Sequence, residues 1–398
     1  MKTLLISNIP PTLDRSSGIL LHKMCSALYP ELAIYTLMHP FNYFLKNSMP
    51  PDVPYQSSAI PMESSWRILP SVMGGVTAWL WELHVEKFII PRIAERIVAF
   101  ARLHKVGRVW CVLEGQTLIR LASIVAKQLG CSLHSQVFDA PEWYLLGNNI
   151  DFFSKRKILK HYDNALRSSA SVAAASPIMA NQIASLYGIP SYDFVGTVPR
   201  GCVISKHISI FEDLSSDITI GYAGQLYCEE EWAKLLSMLD GIDWRLGGRR
   251  VRILFVGYDY NYLPKNHPNI SIVEFTDQKN AIQLMSLCDV LYLPYFFDEK
   301  RRVLAETSFP SKLSAYMASS VPILFHGPEY SSPLMFLKSF PDSCFCCVEN
   351  TADALCNSLV EIFSDKIRYE MVRKNALKVL CEYLLDDIVI DKMNKFCS

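Results

Sequence analysis

The sequence predicts two doubly wound α/β domains in tandem, each a parallel sheet covered by helices on both faces. Three observations carry this. Short apolar segments alternate with longer amphipathic ones, the alternation restarts after residue 200, and 398 residues exceed what one ordinary core fills.

In the first half, Thr3–Ser7 reads as a strand running into a Pro/Ser/Gly loop, Asn8–Gly18, followed by a helix over Ile19–Leu28 and a strand over Leu32–Leu37. Val109–Leu113, Ser132–Phe138 and Ser171–Ala175 are further strands, with helical segments between them. The second half opens with strand Ile218–Tyr222, helix Glu229–Leu239 and strands Val251–Val256 and Ile270–Val273. Helix Gln278–Leu287, strand Val290–Leu293, helix Lys312–Ala318 and strand Pro322–Phe325 follow, and helices fill most of the chain from Thr351 onward. The join is expected near Gly196–Ser216. Ligands of such sheets bind beyond the carboxyl ends of the strands, so strand-end loops lining an interdomain cleft are where chemistry is expected.

Half of the residues are apolar and 20% are charged, which describes a folded chain. The formal net charge of zero gives no global attraction for nucleic acid. The halves differ: residues 1–200 hold 19 Lys/Arg against 13 Asp/Glu, and the remainder holds 20 against 26. A basic N-terminal half suits an anionic partner such as a membrane surface; chance asymmetry reads equally well. Leu4–Ile6 is too short for a secretory signal and Asn8-Ile9-Pro10-Pro11 interrupts it. Ser168–Tyr192 is uncharged but broken by Pro177 and Gly188, and Ile68–Trp81 carries Pro70 and Gly74-Gly75, so neither reads as a membrane span. Twelve cysteines without regular spacing suit a reducing compartment. Cys344 and Cys347, with Cys346 between them, lack a second pair and read as the end of a buried strand rather than a zinc or redox site. The expectation is a cytoplasmic chain, soluble or peripheral at the inner face of the membrane.

One segment keeps the membrane option open. Glu86–Lys105 sets Phe88, Ile89, Ile93, Ile97, Val98 and Ala101 on one stripe with Lys87, Arg92, Arg96, Arg102 and Lys105 elsewhere. Such a helix lies on an anionic bilayer or faces a domain core, and the core reading is favoured. Trp66, Trp79 and Trp81 precede it, and indoles favour the interface.

The most informative stretch runs from Tyr292-Leu293-Pro294-Tyr295 through a charged loop to Ser308-Phe309-Pro310-Ser311-Lys312 and on to Val321-Pro322-Ile323-Leu324. It reads as strand, loop, helix, strand, with Pro310 and Ser311 as helix-start residues and Ser311 as the N-cap. Free N–H groups at a helix start suit a diphosphate, and Lys312 opposes the helix dipole there, which points to a ligand rather than to the helix. The Gly221-Tyr222-Ala223-Gly224-Gln225 turn and the Gly257-Tyr258 turn end two strands on the same side, where glycine permits close approach to a phosphate or sugar. In the first half, Ser132–Phe138 ends in Asp139-Ala140-Pro141-Glu142-Trp143, a carboxylate at a strand end beside a ring able to stack on a sugar. Asp is also a common turn residue. His134 reads as a buried, satisfied side chain.

Together these segments resemble the retaining glycosyltransferases of family 4, on the opening strand and loop, Gly221-Tyr222-Ala223-Gly224, Phe255-Val256-Gly257, Cys288–Pro294 and the stretch from Phe309-Pro310-Ser311-Lys312 to Val321-Pro322-Ile323-Leu324. The resemblance implies the GT-B architecture, two Rossmann-like domains facing across a cleft. It divides the chain into an acceptor-binding domain, 1–200, with 384–398 crossing back to it, and a nucleotide-sugar-binding domain, 201–383. It implies transfer of a hexose from a nucleoside diphosphate to a saccharide or lipid-linked acceptor in cell-surface polysaccharide assembly, with retention of configuration. No cofactor or metal is implied, and there is no D-x-D metal motif. Gly224, Gln225, Gly257, Tyr258, Tyr295, Thr307, Ser308, Phe309, Pro310, Ser311 and Lys312 would hold the donor, and Ser17, Gly18, Glu142 and Trp143 the acceptor. Asp139 and Lys312 would carry catalysis. The sequence departs from the family at its paired glutamates, whose positions are Thr307 and Ala315, with Glu306 one residue away. Gln225-Leu226-Tyr227-Cys228-Glu229 also lacks the family's cations, which shifts the load to Lys312, Arg301 and Arg302. Two rival readings follow: a catalytically silent glycosyltransferase-like subunit, and a nucleotide-sugar epimerase, for which the only carboxylate pair in view is Asp139 and Glu142.

Overall fold

The computed structural model describes the chain apart from residues 14, 15, 62, 64–70, 148, 149, 151, 205–210, 212–216, 259–262 and 265, and apart from the side chains of 16, 71–73, 146 and 147. Trp66, most of the expected join and part of the Asn8–Gly18 loop fall outside the described residues. Two compact units emerge, Met1–Phe194 with Val389–Ser398, and Val195–Ile388.

The first unit is built on seven parallel strands: β1 (Lys2–Ser7), β2 (Leu32–Met38), β3 (Tyr55–Ala59), β4 (Val106–Val112), β5 (Ser132–Val137), β6 (Ser169–Ala174) and β7 (Ser191–Asp193). Their order is 3-2-1-4-5-6-7. Every residue of β2 is buried, as expected of a strand covered on both faces. β3 is the polar run Tyr-Gln-Ser-Ser-Ala at the sheet edge, held partly by the Tyr55 hydroxyl against Thr36 Oγ1 at 3.0 Å. Its polarity is why periodicity misses it. The order reverses between β1 and β4, the position at which such sheets bind ligands.

Several expectations are corrected here. The first helix starts at Ser16, not Ile19, so Ser17 and Gly18 lie in its first turn. Gly18 is buried, and a Cβ there would stand 2.3 Å from Thr12 Cγ2. The packing of its own loop therefore demands glycine. The stripe expected over Glu86–Lys105 is broken by a π-helical turn, Val85–Ile89, ahead of the helix Ile90–Leu103. The wide turn rotates what precedes it, so Ile93, Ile97, Val98 and Ala101 face the core while Phe88 is half exposed. Ser71–His84 is helical despite Gly74-Gly75. Its Glu82 is fully buried, paired with Arg120 of the helix Gly115–Leu129, and accepts from Ser154 Oγ at 2.9 Å.

The chain's last residues belong to this unit. Phe396 is fully buried, with ring centroids 6.1 Å from Trp110, 5.6 Å from His134 and 5.8 Å from Phe194. Its carbonyl accepts from Ser171 Oγ at 2.5 Å, and Lys392 pairs with Asp193 at 2.6 Å. His134 is buried, with Ser171 Oγ 2.8 Å from Nδ1 and Ser132 Oγ 3.1 Å from Nε2.

The second unit repeats the plan with β8 (Ile218–Ala223), β9 (Arg245–Leu246), β10 (Arg249–Val256), β11 (Ile270–Val273), β12 (Val290–Pro294), β13 (Ile323–His326) and β14 (Phe345–Cys347). Six are parallel in the order 11-10-8-12-13-14, and β9 pairs antiparallel with β10. Cys344, Cys346 and Cys347 are free thiols in and beside β14. Among the described residues no helix is long and apolar enough to cross a membrane.

Candidate functional site

In the second unit the order reverses between β8 and β12, and the features singled out from the sequence meet beyond these strand ends. β8 ends in Gly224, at φ 110°, and β10 ends in Gly257. The two turns touch through backbone: Gly224 N donates to Val256 O at 2.8 Å, and a Cβ on Gly257 would lie 2.2 Å from Gly224 O. No side chain fits at 257. Gly224 in turn lies against Lys312, since a Cβ there would come 3.5 Å from its Cε and 3.6 Å from its Nζ.

Lys312 heads the helix Lys312–Ala318. Its ammonium donates to the Tyr222 hydroxyl and to the Gln225 carbonyl, the latter at 3.3 Å. It stands 4.0 Å and 4.2 Å from the ring centroids of Tyr222 and Tyr227. Among the described residues it forms no ion pair with a carboxylate. Loss of water pushes its pKa down to about 7, only partly offset by the Cys228 thiol. A half-buried cation lodged on two aromatic faces without a counter-ion suits an anionic ligand.

The other expected donor residues divide. Ser308 is braced by the Tyr295 hydroxyl and donates to Leu304 O at 2.7 Å. Tyr295 itself is buried and Phe309 packs edge-on against Phe336 at 5.2 Å, so both rings serve the core. Pro310 is buried, Gln225 is exposed, and Tyr258 is exposed with its ring against Phe275. Ser311 is corrected as an N-cap: its backbone is already helical, at φ −58° and ψ −21°, and its side chain caps nothing. Gly196 packs directly on it, since a Cβ there would stand 2.9 Å from Ser311 Cα and O. Thr307 Oγ1 bonds back to Val303 O at 2.6 Å, Ala315 packs against the core, and Glu306 pairs with Arg302 at 2.8 Å. Arg302 is thus held by Glu306 and Glu299 and stacks on Tyr330. Arg301 donates to Tyr227 O at 3.2 Å, with its guanidinium 4.9 Å over the Phe296 ring.

The first unit carries a separate cavity of about 250 Å³, lined by Leu113, Glu114, Gly115, Ile119, Asp139, Pro141, Trp143 and Tyr144. It brings Asp139 and Trp143 together as expected. Glu142, at the start of the helix Pro141–Gly147, does not line it and instead acts electrostatically on Tyr162 and Tyr187. Its place as Asp139's partner is taken by Glu114, which sequence reasoning missed. Burial pushes the Glu114 carboxyl up to about 7, helped by the charge of Asp139 and opposed by a hydrogen bond from Asn8. Asp139 is also raised, by loss of water. Behind them Glu63 accepts from Thr117 N at 2.5 Å and from the Tyr144 hydroxyl at 2.9 Å. A Cβ at Gly115, which sits at φ 76°, would strike that carboxylate at 2.4 Å. The signal for Glu114 was present: like Asp139, it directly follows an apolar strand. Glu63 follows a polar edge strand and carries no such signal.

No family model and no curated protein matches this sequence. Solved structures do. The chain is similar to sucrose-phosphate synthase from Thermosynechococcus elongatus, at 11% identity and TM-score 0.68, over 99% of this chain and 98% of that one. The fold is the GT-B fold of glycosyltransferases. Anabaena HepE in complex with UDP and glucose matches at 12% identity and TM-score 0.64, over 99% of both chains. A glycosyltransferase from Rickettsia africae matches at 12% and 0.66, over 99% of this chain and 97% of that one.

Proposed function

We propose that this chain is a glycosyltransferase that moves a sugar from a nucleoside diphosphate to a saccharide or lipid-linked acceptor, of the retaining family 4 type and without a metal. The observation that carries the proposal is Lys312: a cation with no ion-pair partner among the described residues, against the Gly224 turn, at the strand-order reversal of the second unit. There it neutralises the departing diphosphate, with Arg301, which donates to the backbone of the same Tyr227 that Lys312 stands over, as a second cation. HepE was solved with UDP and with UDP-glucose, which makes uridine nucleotides the first donors to test. In the first unit Asp139 orients the acceptor hydroxyl, Trp143 stacks on the acceptor sugar, and Ser17 and Gly18 border it. The setting we favour is cytoplasmic assembly of cell-surface polysaccharide.

Two rival readings rest on specific observations. Glu114 beside Asp139 is the carboxylate pair that a nucleotide-sugar epimerase needs. Thr307 and Ala315, one tied to the helix backbone and the other to the core, favour a subunit that binds nucleotide without turning it over. The deciding experiment is a thermal-shift screen of nucleoside diphosphates and their sugars, followed by incubation of the best donor with and without candidate acceptors. Transfer to an acceptor supports the proposal. Change of the donor alone assigns an epimerase, and binding without turnover assigns a silent nucleotide-binding subunit. No shift in a folded sample refutes the transferase and the epimerase and favours a silent subunit that binds a partner enzyme.

A further inference from the structure

The first unit carries an apolar stripe that is largely exposed. On the helix Ser71–His84 and the π-turn after it, Val76, Trp79, Leu80 and Phe88 are 55%, 45%, 53% and 50% exposed. Val76, Trp79 and Leu80 share one helical face by their spacing, and Phe88 is exposed in the π-turn that follows. At the start of the neighbouring helix Phe152–Arg167, Phe152 and Phe153 are 70% and 53% exposed.

These two helices are fixed side by side. Ser154 bonds Glu82, while Lys157 and His161 bond Glu86 at 2.8 Å and 3.2 Å. Both sets of partners advance in the same direction, so the helices run parallel and Phe152 and Phe153 fall alongside residues 78–81. The outward faces change character together. Beyond the apolar end, the exposed positions of the first element become Lys87, Arg92 and Arg96, and those of the second become Arg156 and Lys160. Among the described residues the acids are mostly paired, Glu82 with Arg120, Glu86 with Lys157 and Asp163 with Arg167, and Glu95 is exposed.

An aromatic and aliphatic end joined to a basic collar, spanning two parallel helices, has the chemistry of a membrane-seated surface. Trp and Phe bury into the headgroup boundary, and Lys and Arg meet lipid phosphates. The exposures keep these side chains out of the unit's own core, and an anionic bilayer accounts for the apolar end and the basic collar together. We infer that this face docks on an anionic phospholipid bilayer, with Trp79, Leu80, Phe152 and Phe153 inserted and Lys87, Arg92, Arg96, Arg156 and Lys160 on the phosphates. The inference stands independently of the transferase reading, because none of the residues it uses is assigned to the donor site or lines the Glu114 cavity.

The test is co-sedimentation of the full chain with vesicles of phosphatidylcholine alone and of phosphatidylcholine mixed with phosphatidylglycerol. Binding is expected only to the anionic vesicles and should weaken as salt rises. Trp79→Ser with Leu80→Ser should abolish it, and Arg92→Glu with Arg96→Glu should lower it by about fivefold or more per charge. All substituted positions are exposed, and a thermal melt confirms that each variant folds. Equal binding to both vesicle types, no binding by the folded wild type, or unaltered binding by either variant would overturn the inference. Sedimentation velocity without lipid adds one more such outcome: a dimer that the apolar variant dissolves would give the face to a second copy of the chain.

Discussion

Replacing Lys312 by Met keeps the length of the side chain and removes its charge from between Gly224 and the rings of Tyr222 and Tyr227. A charge-assisted hydrogen bond to a phosphate oxygen is worth about 1.5–3 kcal/mol, so the affinity for UDP should fall by roughly 10–150-fold. The pH dependence sharpens the test. The free ammonium titrates at about 7 because it is stripped of water, and a bound diphosphate must raise that value. Wild-type affinity is therefore highest below pH 7 and should drop by about tenfold per unit as the pH rises above it, until the bound-state value is reached. Titration calorimetry at several pH values, wild type against Lys312→Met, separates this from the nucleotide's own ionisation, which is common to both. The ligand-free variant supplies a second reading. A lysine lowered in the folded state costs stability in full below its folded value, and the cost fades between there and its ordinary value near 10.5. The variant should thus melt above the wild type at pH 6, by a margin that narrows from pH 7 upward. Equal affinity in the two proteins, or the same pH slope in both, would refute the role assigned to Lys312.

Other consequences are equally concrete. Gly257→Ala forces a Cβ into Gly224 O, so it should lower stability by about 1–3 kcal/mol and weaken nucleotide binding; a melt unchanged from wild type would mean that the two turns do not touch. Glu114 is raised in the folded state, so its contribution is favourable below its ordinary value near 4.5 and is lost as pH rises through about 7. Glu114→Gln should therefore match the wild type near pH 5 and exceed it at pH 8 in thermal melts, and a constant difference across that range would contradict its burial. Asp139→Asn should lower turnover while leaving UDP affinity intact, measured side by side; undiminished turnover removes it from the site. Arg120→Met strands Glu82 in the core and should cost about 3–5 kcal/mol in urea unfolding, most of it recovered when Glu82→Met is added. A single variant as stable as wild type would show the pair to be solvated.

How far the sequence reads depends on which force fixed each feature. Buried parallel strands must be apolar along their length, so Leu32–Met38 and Val290–Pro294 announce themselves, while Ile270–Val273, a half-exposed edge strand, is legible only because its own residues are mostly apolar. Edge strands answer only to backbone pairing on one side, which is why Tyr55–Ala59 and Ser191–Asp193 stay silent. Ser311 looked like an N-cap because its residue type fits, but the turn from Pro310 already places its backbone in the helical region. The stripe at Glu86–Lys105 assumed an uninterrupted period of 3.6, and the π-turn over Val85–Ile89 changed the phase for Phe88.

The sequence by itself determined the repeated α/β plan, the strand-end positions of Gly224, Gly257 and Asp139, and the helix Lys312–Ala318 with Lys312 at its head, because periodicity and turn chemistry are local. Tertiary structure alone decided that Gly257 meets Gly224, that Lys312 rests on Tyr222 and Tyr227, and that Glu114 rather than Glu142 stands with Asp139. It also decided that Glu82, Glu86 and Ser154 hold two helices parallel. Each of these joins residues far apart in the chain through contact and loss of water, and such energies depend on distances that residue order does not encode one segment at a time.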